Sequence, residues 1–343
     1  MAATSQVDTG PRDSAAGERP IVVVGCPRSG TTLLQLMLHA HARIAIPPEN
    51  RFVLPAYHRR RSFGDLRDPA NRRRLAHWIV TTRGTKFADF GLDPDWVIEQ
   101  VVAAPPTLGS GLAAVFRAYA RRFDKPRWGD KRPSYVTNLE VIERLFPAAQ
   151  FVHIVRDGRD CVASLCRMSW HPGGAYRAVS MWAQAVDHAR RAARRLGPES
   201  FYELRYERLV TDPERELVAL CDYLGEDYHP AMAEPAALAP LVVPARKRHH
   251  AMARQPVTAA RIGAWPQQLD PEQIALCEAV LGDRLRSYGY QLSGAPPPPA
   301  RVRLHYERVA FRHRFAGPKW RVIGAYERLR RPAPVADLVP DWV

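Results

Sequence analysis

The residues best suited to chemistry in this 343-residue chain lie in one short segment, residues 25–32, which reads Gly-Cys-Pro-Arg-Ser-Gly-Thr-Thr. Its G-x-x-x-x-G-T-T spacing matches the loop that binds nucleotide phosphates, except that Thr31 stands where that loop has lysine. Glycines let backbone N–H groups converge on an anion, and a following helix adds partial positive charge. The segment therefore predicts a site for one phosphate-like group rather than a triphosphate, with contacts from Arg28, Ser29, Gly30, Thr31 and Thr32.

A second polar turn lies at residues 156–160, Arg-Asp-Gly-Arg-Asp, directly after an apolar run. Arg156 offers a planar fork of donors that fits phosphate oxygens. Ser164 lies about two helical turns further on, so it faces the same groove only if that helix packs along the ligand. Alone, such a turn is typical of an ion-paired corner at the surface. Together with the first loop, it predicts a second contact with an anion.

Apolar runs precede both turns, and helical patterns follow them. The runs predicted as buried strands are residues 21–24, 151–155 and 201–206. The predicted helices cover residues 31–38, a segment that begins near Cys161, and residues 213–224. This alternation predicts an α/β fold: a P-loop-type parallel sheet flanked by helices on both faces, with a mainly helical insertion and a basic C-terminal tail. Ligands of such sheets lie beyond the carboxyl ends of the strands.

Composition divides the rest of the chain. Residues 1–19 lack an apolar core, so they predict a disordered leader rather than a signal peptide. The main domain spans residues 20–293, and its helical insertion at 55–127 is expected to help form the acceptor pocket. Four consecutive prolines mark a stiff linker at 294–300, and residues 301–343 form the basic tail.

The charge of the chain favours anionic partners. The formal net charge is +15, and residues 301–331 alone carry ten basic and two acidic residues, a net +8. Such a balance is typical of proteins that bind nucleotides, sulfated compounds, membrane surfaces or nucleic acid. Five scattered cysteines without zinc-type spacing predict reduced thiols and a cytoplasmic location. No apolar run approaches the ~18 residues that a membrane span needs.

The segment from Pro27 to Thr32 resembles the 5′-phosphosulfate loop of sulfotransferases that use 3′-phosphoadenosine 5′-phosphosulfate (PAPS). The resemblance is closest to bacterial members and to tyrosylprotein sulfotransferases, which carry arginine where cytosolic aryl sulfotransferases carry lysine. It covers roughly Pro20 to Leu292. If it holds, the chain shares their fold and their donor.

The resemblance also implies roles for residues outside the loop. The implied donor contacts are Arg156 and Ser164 for the 3′-phosphate, Tyr206 for the adenine, and Arg261 and Gly263 in a late Arg-x-Gly-x-Trp loop. The basic residues Arg246, Lys247 and Arg248 are equally open candidates for contacting the 3′-phosphate in place of that late loop. Lys131, in a Gly-Asp-Lys segment, is implied to lie at the transferring sulfonate.

The implied reaction is in-line transfer of the sulfuryl group from PAPS to a hydroxyl of a small-molecule, lipid or peptide acceptor. Its catalytic residues are Glu49, Arg28 and Lys131, with no metal. Glu49 resembles the glutamate base of tyrosylprotein sulfotransferases, and since a free glutamate has a pKa near ~4.3, its surroundings must make it an effective base. Cytosolic aryl sulfotransferases use histidine, which leaves His39, His41 and His153 as a distant alternative.

Two other classes of protein remain open from the sequence. A divergent P-loop kinase or nucleotide-binding protein shares the loop but is disfavoured by the missing lysine. A basic protein of membrane surfaces or nucleic acids would depend on residues 301–331, where aromatic residues lie among arginines. Because no nucleic-acid-binding motif occurs elsewhere, an anionic membrane is the expected partner of this tail and nucleic acid is not expected. The alternative is that the tail docks back on the domain.

Overall fold

The computed structural model describes residues 19–238 and 255–315, with side chains described as far as residue 313. The predicted leader, apart from Arg19, lies outside these residues. So do Arg246, Lys247 and Arg248, and most of the predicted tail. The three predicted strands and the two polar turns lie inside them.

A five-stranded parallel sheet forms the centre of the fold. Its strands are β1 (Ile21–Gly25), β2 (Ile44–Ala45), β3 (Arg127–Lys131), β4 (Gln150–Val155) and β5 (Phe201–Arg205), in the order β2-β3-β1-β4-β5. Every residue of β1 and β4 is buried, as their apolar runs favour. The predicted parallel sheet is confirmed.

The sequence pattern does not predict β2 or β3. Strand β3 reads Arg-Trp-Gly-Asp-Lys, which has neither apolar alternation nor β-branched residues, and β2 has only two residues. Gly129 lets β3 approach its neighbour, because a Cβ there would lie 2.6 Å from the carbonyl oxygen of Ile21. The position of β3 beside β1 therefore makes this segment a strand, against its local preference.

Helices cover both faces of the sheet. Val22 and Val24 of β1 belong to one apolar core, and Ile21 and Val23 belong to another, because successive side chains of a strand point to opposite faces. The helices are α1 (Thr31–Ala40), α2 (Val53–His58), α3 (Arg60–Phe63), α4 (Pro69–Thr81), α5 (Pro94–Ala103), α6 (Leu108–Arg121), α7 (Leu139–Leu145), α8 (Gly158–Cys166), α9 (Gly174–Leu196), α10 (Tyr206–Thr211), α11 (Pro213–Leu224), α12 (Pro271–Ser287) and α13 (Ala300–Phe315).

The region predicted as a helical insertion, residues 55–127, contains most of α2 and all of α3 to α6. Helix α6 packs on β3 through the stacked rings of Phe116 and Trp128, whose centroids are 5.0 Å apart. Both rings belong to the larger apolar core. The insertion is thus built into the main core, and it supports the loop that enters α2.

The described part of the basic tail is a helix that lies against the domain. Val302, Tyr306 and Ala310 of α13 are buried, and the His305 ring lies 4.4 Å from the ring of Tyr176 on α9. Residues 294–299, which precede it, have no regular secondary structure. For residues 300–315, docking on the domain is therefore the arrangement observed. Within the described residues, no helix combines the length and the apolar character that a bilayer span requires.

Candidate active site

The loop between β1 and α1 is shaped for an anion. Arg28 and Gly30 adopt left-handed φ angles of 74° and 103°, a conformation that is free of strain only for glycine. Among the described residues, no side chain caps α1, and its first turn holds no carboxylate. The first N–H groups of α1 therefore remain available to a ligand at the loop. A Cβ on Gly30 would lie 2.5 Å from the Tyr206 ring, so only glycine allows this close approach.

A cleft of about 640 Å³ opens at the carboxyl ends of the strands. The predicted site residues that line it are Arg28, Gly30, Thr31, Thr32, Glu49, Lys131, Arg156, Ser164, Tyr206 and Arg261. Ser29, within the loop, is fully buried, and its Oγ has no hydrogen-bond partner in the part of the chain that the structure describes. The fold thus gathers at one cleft residues that are spread over more than two hundred positions of sequence.

Arginines converge at one end of the cleft. Arg28 Nε donates a hydrogen bond of 3.0 Å to Ser164 Oγ, which ties the phosphate loop to α8. Burial lowers the pKa of Arg28, and the nearby charge of Arg156 lowers it further, as do those of Arg167 and Arg261. Gathered like charges repel one another, so an anion bound among them is attracted by all of them at once. This end of the cleft therefore fits a ligand with closely spaced phosphate groups.

Arg156 joins three of the predicted segments. Its Nη2 atom lies 3.3 Å from Asp160 Oδ2 and donates a 2.5 Å hydrogen bond to the carbonyl oxygen of Arg261. Its guanidinium carbon lies 4.5 Å from the centroid of the Tyr206 ring. The sequence pattern predicts that Tyr206 ends a strand. In the structure β5 ends at Arg205, and Tyr206 begins α10. The ring and the guanidinium together form one wall of the arginine-rich end.

Asp160 organises the late loop, a role that the sequence analysis does not assign. Its Oδ2 accepts from the backbone N–H of Gly263 and its Oδ1 from that of Trp265, each at 3.0 Å. Gly263 has a φ of 64°, which explains the glycine, and the Arg159 guanidinium lies 4.1 Å from the Trp265 ring centroid. The i,i+4 spacing of Arg156 and Asp160 could have indicated their ion pair. The contact with the late loop has no local signal.

The other end of the cleft brings Lys131 and Glu49 together. Lys131 Nζ lies 3.6 Å from Glu49 Oε2 and 3.4 Å from Thr32 Oγ1, and the lysine is only 2% exposed. Because β3 pairs with β1, residue 131 lies beside Val23, just before the phosphate loop. The amine that the loop lacks in sequence is therefore supplied in space by the neighbouring strand.

A buried clamp holds the loop that carries Glu49. Asn50 Nδ2 and Tyr135 Oη each donate a 2.7 Å hydrogen bond to the Asp130 carboxylate. Asp130 is 2% exposed, and burial raises its pKa. Since Asn50 and Asp130 are the chain neighbours of Glu49 and Lys131, this clamp sets the distance between these two side chains. Sequence reasoning missed all three clamp residues.

Replacing Tyr135 with phenylalanine should loosen this clamp. One oxygen of a buried carboxylate would lose its donor, so we expect unfolding in urea to show a loss of about 1–3 kcal/mol. The value of kcat should fall as well, while donor affinity stays unchanged. The matched control is Tyr119→Phe, because the buried Tyr119 hydroxyl has no hydrogen-bond partner within the described residues. Equal effects of the two substitutions on stability and kcat would show that the clamp has no such role.

The three candidate histidines serve the fold. His39 Nδ1 accepts from the backbone N–H of Ile46, and burial, followed by the charge of Lys125, lowers its pKa to about 3. His41 Nε2 bonds the carbonyl oxygen of Asp227, and His153 Nδ1 lies 2.7 Å from Glu203 Oε2. None of the three lines the cleft formed by the described residues, so the histidine alternative loses its support. In the same part of the chain, no group of three or more His, Cys, Asp or Glu side chains is placed to hold a metal ion.

The parallel sheet and the loop between β1 and α1 define an α/β fold of the P-loop type, with a cleft suited to an anion at the carboxyl ends of the strands. The chain belongs to the sulfotransferase family, whose family model matches residues 20–230. The family predicted from the sequence is thereby confirmed. PAPS fits the described residues, since the arginine-rich end and the uncapped start of α1 suit its two anionic ends.

Several characterised proteins are similar to this chain. Protein-tyrosine sulfotransferase 2 of Gallus gallus is 26% identical over 215 residues, 61% of this chain and 52% of that protein. Protein-tyrosine sulfotransferase of Drosophila melanogaster is 25% identical over 293 residues, 82% of this chain and 53% of that protein. The chain thus spans about half the length of both. The sulfotransferase domain of the Synechococcus PCC 7002 olefin synthase shares the fold, with a TM-score of 0.55, 23% identity, and coverage of 80% of this chain and 97% of that one.

Proposed function

We propose that this protein transfers the sulfuryl group of PAPS to a hydroxyl group, with Glu49 as general base. The observation that carries the proposal is the 3.6 Å separation of Lys131 Nζ and Glu49 Oε2 in a cleft whose other end gathers arginines. A base and a cation side by side suit a reaction in which a hydroxyl loses its proton while negative charge develops next to it. The donor and the acceptor hydroxyl would meet at this pair.

In this proposal, different groups of the described residues bind different parts of the donor. Arg28, the loop amides and the N-terminus of α1 hold the 5′-phosphosulfate end, and Lys131 lies beside the sulfonate. Arg156 and Ser164 hold the 3′-phosphate, and the late loop at residues 261–263 closes over it. The buried Ser29 hydroxyl, which lacks a partner among the described residues, belongs to the same phosphate loop.

The chemical step follows the pattern of phosphoryl transfer. A bond forms between the acceptor oxygen and sulfur as the bond from sulfur to the 5′-phosphate oxygen breaks, and the leaving phosphate keeps the electron pair. Glu49 takes the acceptor's proton. Arg28 and Lys131 stabilise the charge that develops on the leaving phosphate, and the cleft positions both substrates in line.

The acceptor proposed for this site carries negative charge near its hydroxyl. Three cations line the cleft around Glu49, namely Arg51, Lys86 and Arg132. The backbone N–H of Arg51 bonds the carbonyl oxygen of Thr85, next to Lys86, and Arg132 donates to the carbonyl oxygen of Asn50. These bonds hold the backbone at Arg51 and the guanidinium of Arg132 close to the loop that carries Glu49. The protein-tyrosine sulfotransferases among the similar proteins support a peptide tyrosine as the first acceptor to test.

Incubation with radiolabelled PAPS should test the proposal directly. We expect label to reach a tyrosine peptide with flanking Asp and Glu faster than the same peptide with Asn and Gln, with a difference that shrinks in high salt. Chelation by EDTA should leave the rate unchanged, because arginine and lysine can balance the single charge of the sulfuryl group. A metal requirement, or transfer of phosphate from ATP in place of sulfate from PAPS, would favour the kinase class instead.

A further inference from the structure

One peptide unit of the candidate site, the unit that joins Arg156 to Asp157, belongs to neither a strand nor a helix. Strand β4 ends at Val155 and α8 begins at Gly158, so the carbonyl group of Arg156 and the N–H group of Asp157 lie between the two elements. Buried backbone groups that secondary structure does not pair must find other partners. Here both partners are side chains from distant parts of the chain.

The carbonyl oxygen of Arg156 is held from α9. Trp182 Nε1 donates a 3.0 Å hydrogen bond to this oxygen, and the tryptophan is 1% exposed. Its ring packs directly against the start of α8, because a Cβ on Gly158 would lie 2.9 Å from the indole. The ring therefore has little room to move, and the N–H group that it presents stays in one place.

The N–H group of Asp157 is held from α10. It donates a 2.9 Å hydrogen bond to Glu207 Oε1, and the other carboxylate oxygen, Oε2, accepts a 2.8 Å bond from Tyr290 Oη. Tyr206, the residue before Glu207, has its ring centroid 4.5 Å from the guanidinium carbon of Arg156. The start of α10 therefore contacts this turn twice, once at the peptide unit and once at the arginine side chain.

We propose that Trp182 and Glu207 are positioning residues for Arg156. The inference rests on the role proposed above for Arg156, which is to hold the 3′-phosphate of the donor. With its carbonyl and N–H groups both bonded, the peptide unit is held against rotation, and its orientation sets the direction in which the arginine side chain leaves the backbone. Neither Trp182 nor Glu207 lines the cleft formed by the described residues, so each acts through Arg156 rather than by touching the ligand.

Calorimetric titration with two nucleotides that differ only in the 3′-phosphate tests the proposal without any transfer reaction. The dissociation constant of adenosine 5′-phosphate divided by that of adenosine 3′,5′-bisphosphate measures what the 3′-phosphate contributes to binding. Trp182→Phe removes the N–H group and keeps an aromatic ring. We expect it to lower this ratio about three- to tenfold, the effect of one lost hydrogen bond. The dissociation constant of adenosine 5′-phosphate itself should stay unchanged, which a general loosening of the site would not allow.

Glu207 provides a second variant that does not disturb the packing of Trp182. Glu207→Leu leaves the N–H group of Asp157 without its acceptor and should lower the ratio by a similar factor. Glu207→Gln also lacks the charge but keeps an acceptor oxygen, so it should retain most of the ratio. The matched control for the tryptophan is Trp78→Phe, because the buried Trp78 N–H group has no hydrogen-bond partner in the described part of the chain. This control should give the wild-type ratio.

Arg156→Gln separates a failure of this proposal from a failure of the proposed function, and it should lower the ratio more than any other variant. If it does so while Trp182→Phe and Glu207→Leu keep the wild-type ratio, the positioning role is overturned and the role of Arg156 stands. A ratio that Arg156→Gln leaves unchanged would overturn both. Equal weakening of the two nucleotides by Trp182→Phe and Glu207→Leu would assign these residues to the fold alone and would also overturn the proposal.

Discussion

Replacing Glu49 with glutamine is expected to lower kcat for sulfuryl transfer by about 10²- to 10⁴-fold, the usual contribution of a general base. Glutamine keeps the shape of the side chain but cannot take the proton of the acceptor hydroxyl. Lys131, 3.6 Å away, stays in place because β3 and the Asp130 clamp hold it. Initial rates at saturating donor and acceptor measure the effect, and the loss should shrink for acceptors whose hydroxyl is more acidic.

The fall in kcat caused by removing the proposed base must be distinguished from the effect of removing the ion pair between Glu49 and Lys131. Glu99→Gln is the matched control, because Glu99 pairs with Arg73 at 2.7 Å away from the cleft. It should leave kcat unchanged. Adenosine 3′,5′-bisphosphate should raise the melting temperature of Glu49→Gln as much as that of the wild type, since the role proposed for Glu49 is contact with the acceptor and not with the donor. Full activity of Glu49→Gln with every acceptor tested would rule Glu49 out as the base.

Replacing Arg28 with glutamine is expected to reduce turnover about a hundredfold or more, because one preorganised donor to developing charge contributes about 3 kcal/mol. The stability of the unliganded protein should respond differently. Burial and the charges of Arg156, Arg167 and Arg261 lower the pKa of Arg28, so removing this cation relieves repulsion. We expect an unliganded melting temperature equal to or above that of the wild type, and a much smaller rise on addition of adenosine 3′,5′-bisphosphate.

Arg43→Gln provides the comparison for Arg28→Gln. Arg43 pairs with Glu226 at 3.0 Å outside the cleft, so its loss should not alter the stabilisation by adenosine 3′,5′-bisphosphate. The two melting curves, each with and without ligand, separate a residue that binds the donor from one that supports the fold. Wild-type turnover by Arg28→Gln would contradict the role assigned to the phosphate loop.

Local segments of sequence carry the parts of the site that could be predicted. The phosphate loop, the first turn of α1 and the turn at residues 156–160 each consist of consecutive residues whose conformation depends on their own glycines and caps. Asp157, for example, caps α8 by accepting from the N–H of Arg159. Patterns of this kind survive in any fold that places a helix after a strand, so the loop and the parallel sheet follow from the sequence.

Contacts between distant segments decide the rest. No spacing rule brings Glu49 to Lys131 across 82 positions or Asp160 to the N–H of Gly263; both depend on which strands pair and in what register. Strand β3 shows the reason most clearly, because its charged sequence becomes a strand only where β1 and β2 offer hydrogen bonds on both sides. The sequence by itself determined the ligand-binding loop and the architecture that carries it. Only the tertiary structure decided which carboxylate and cation face each other, since long-range pairing and burial, rather than local propensity, place them.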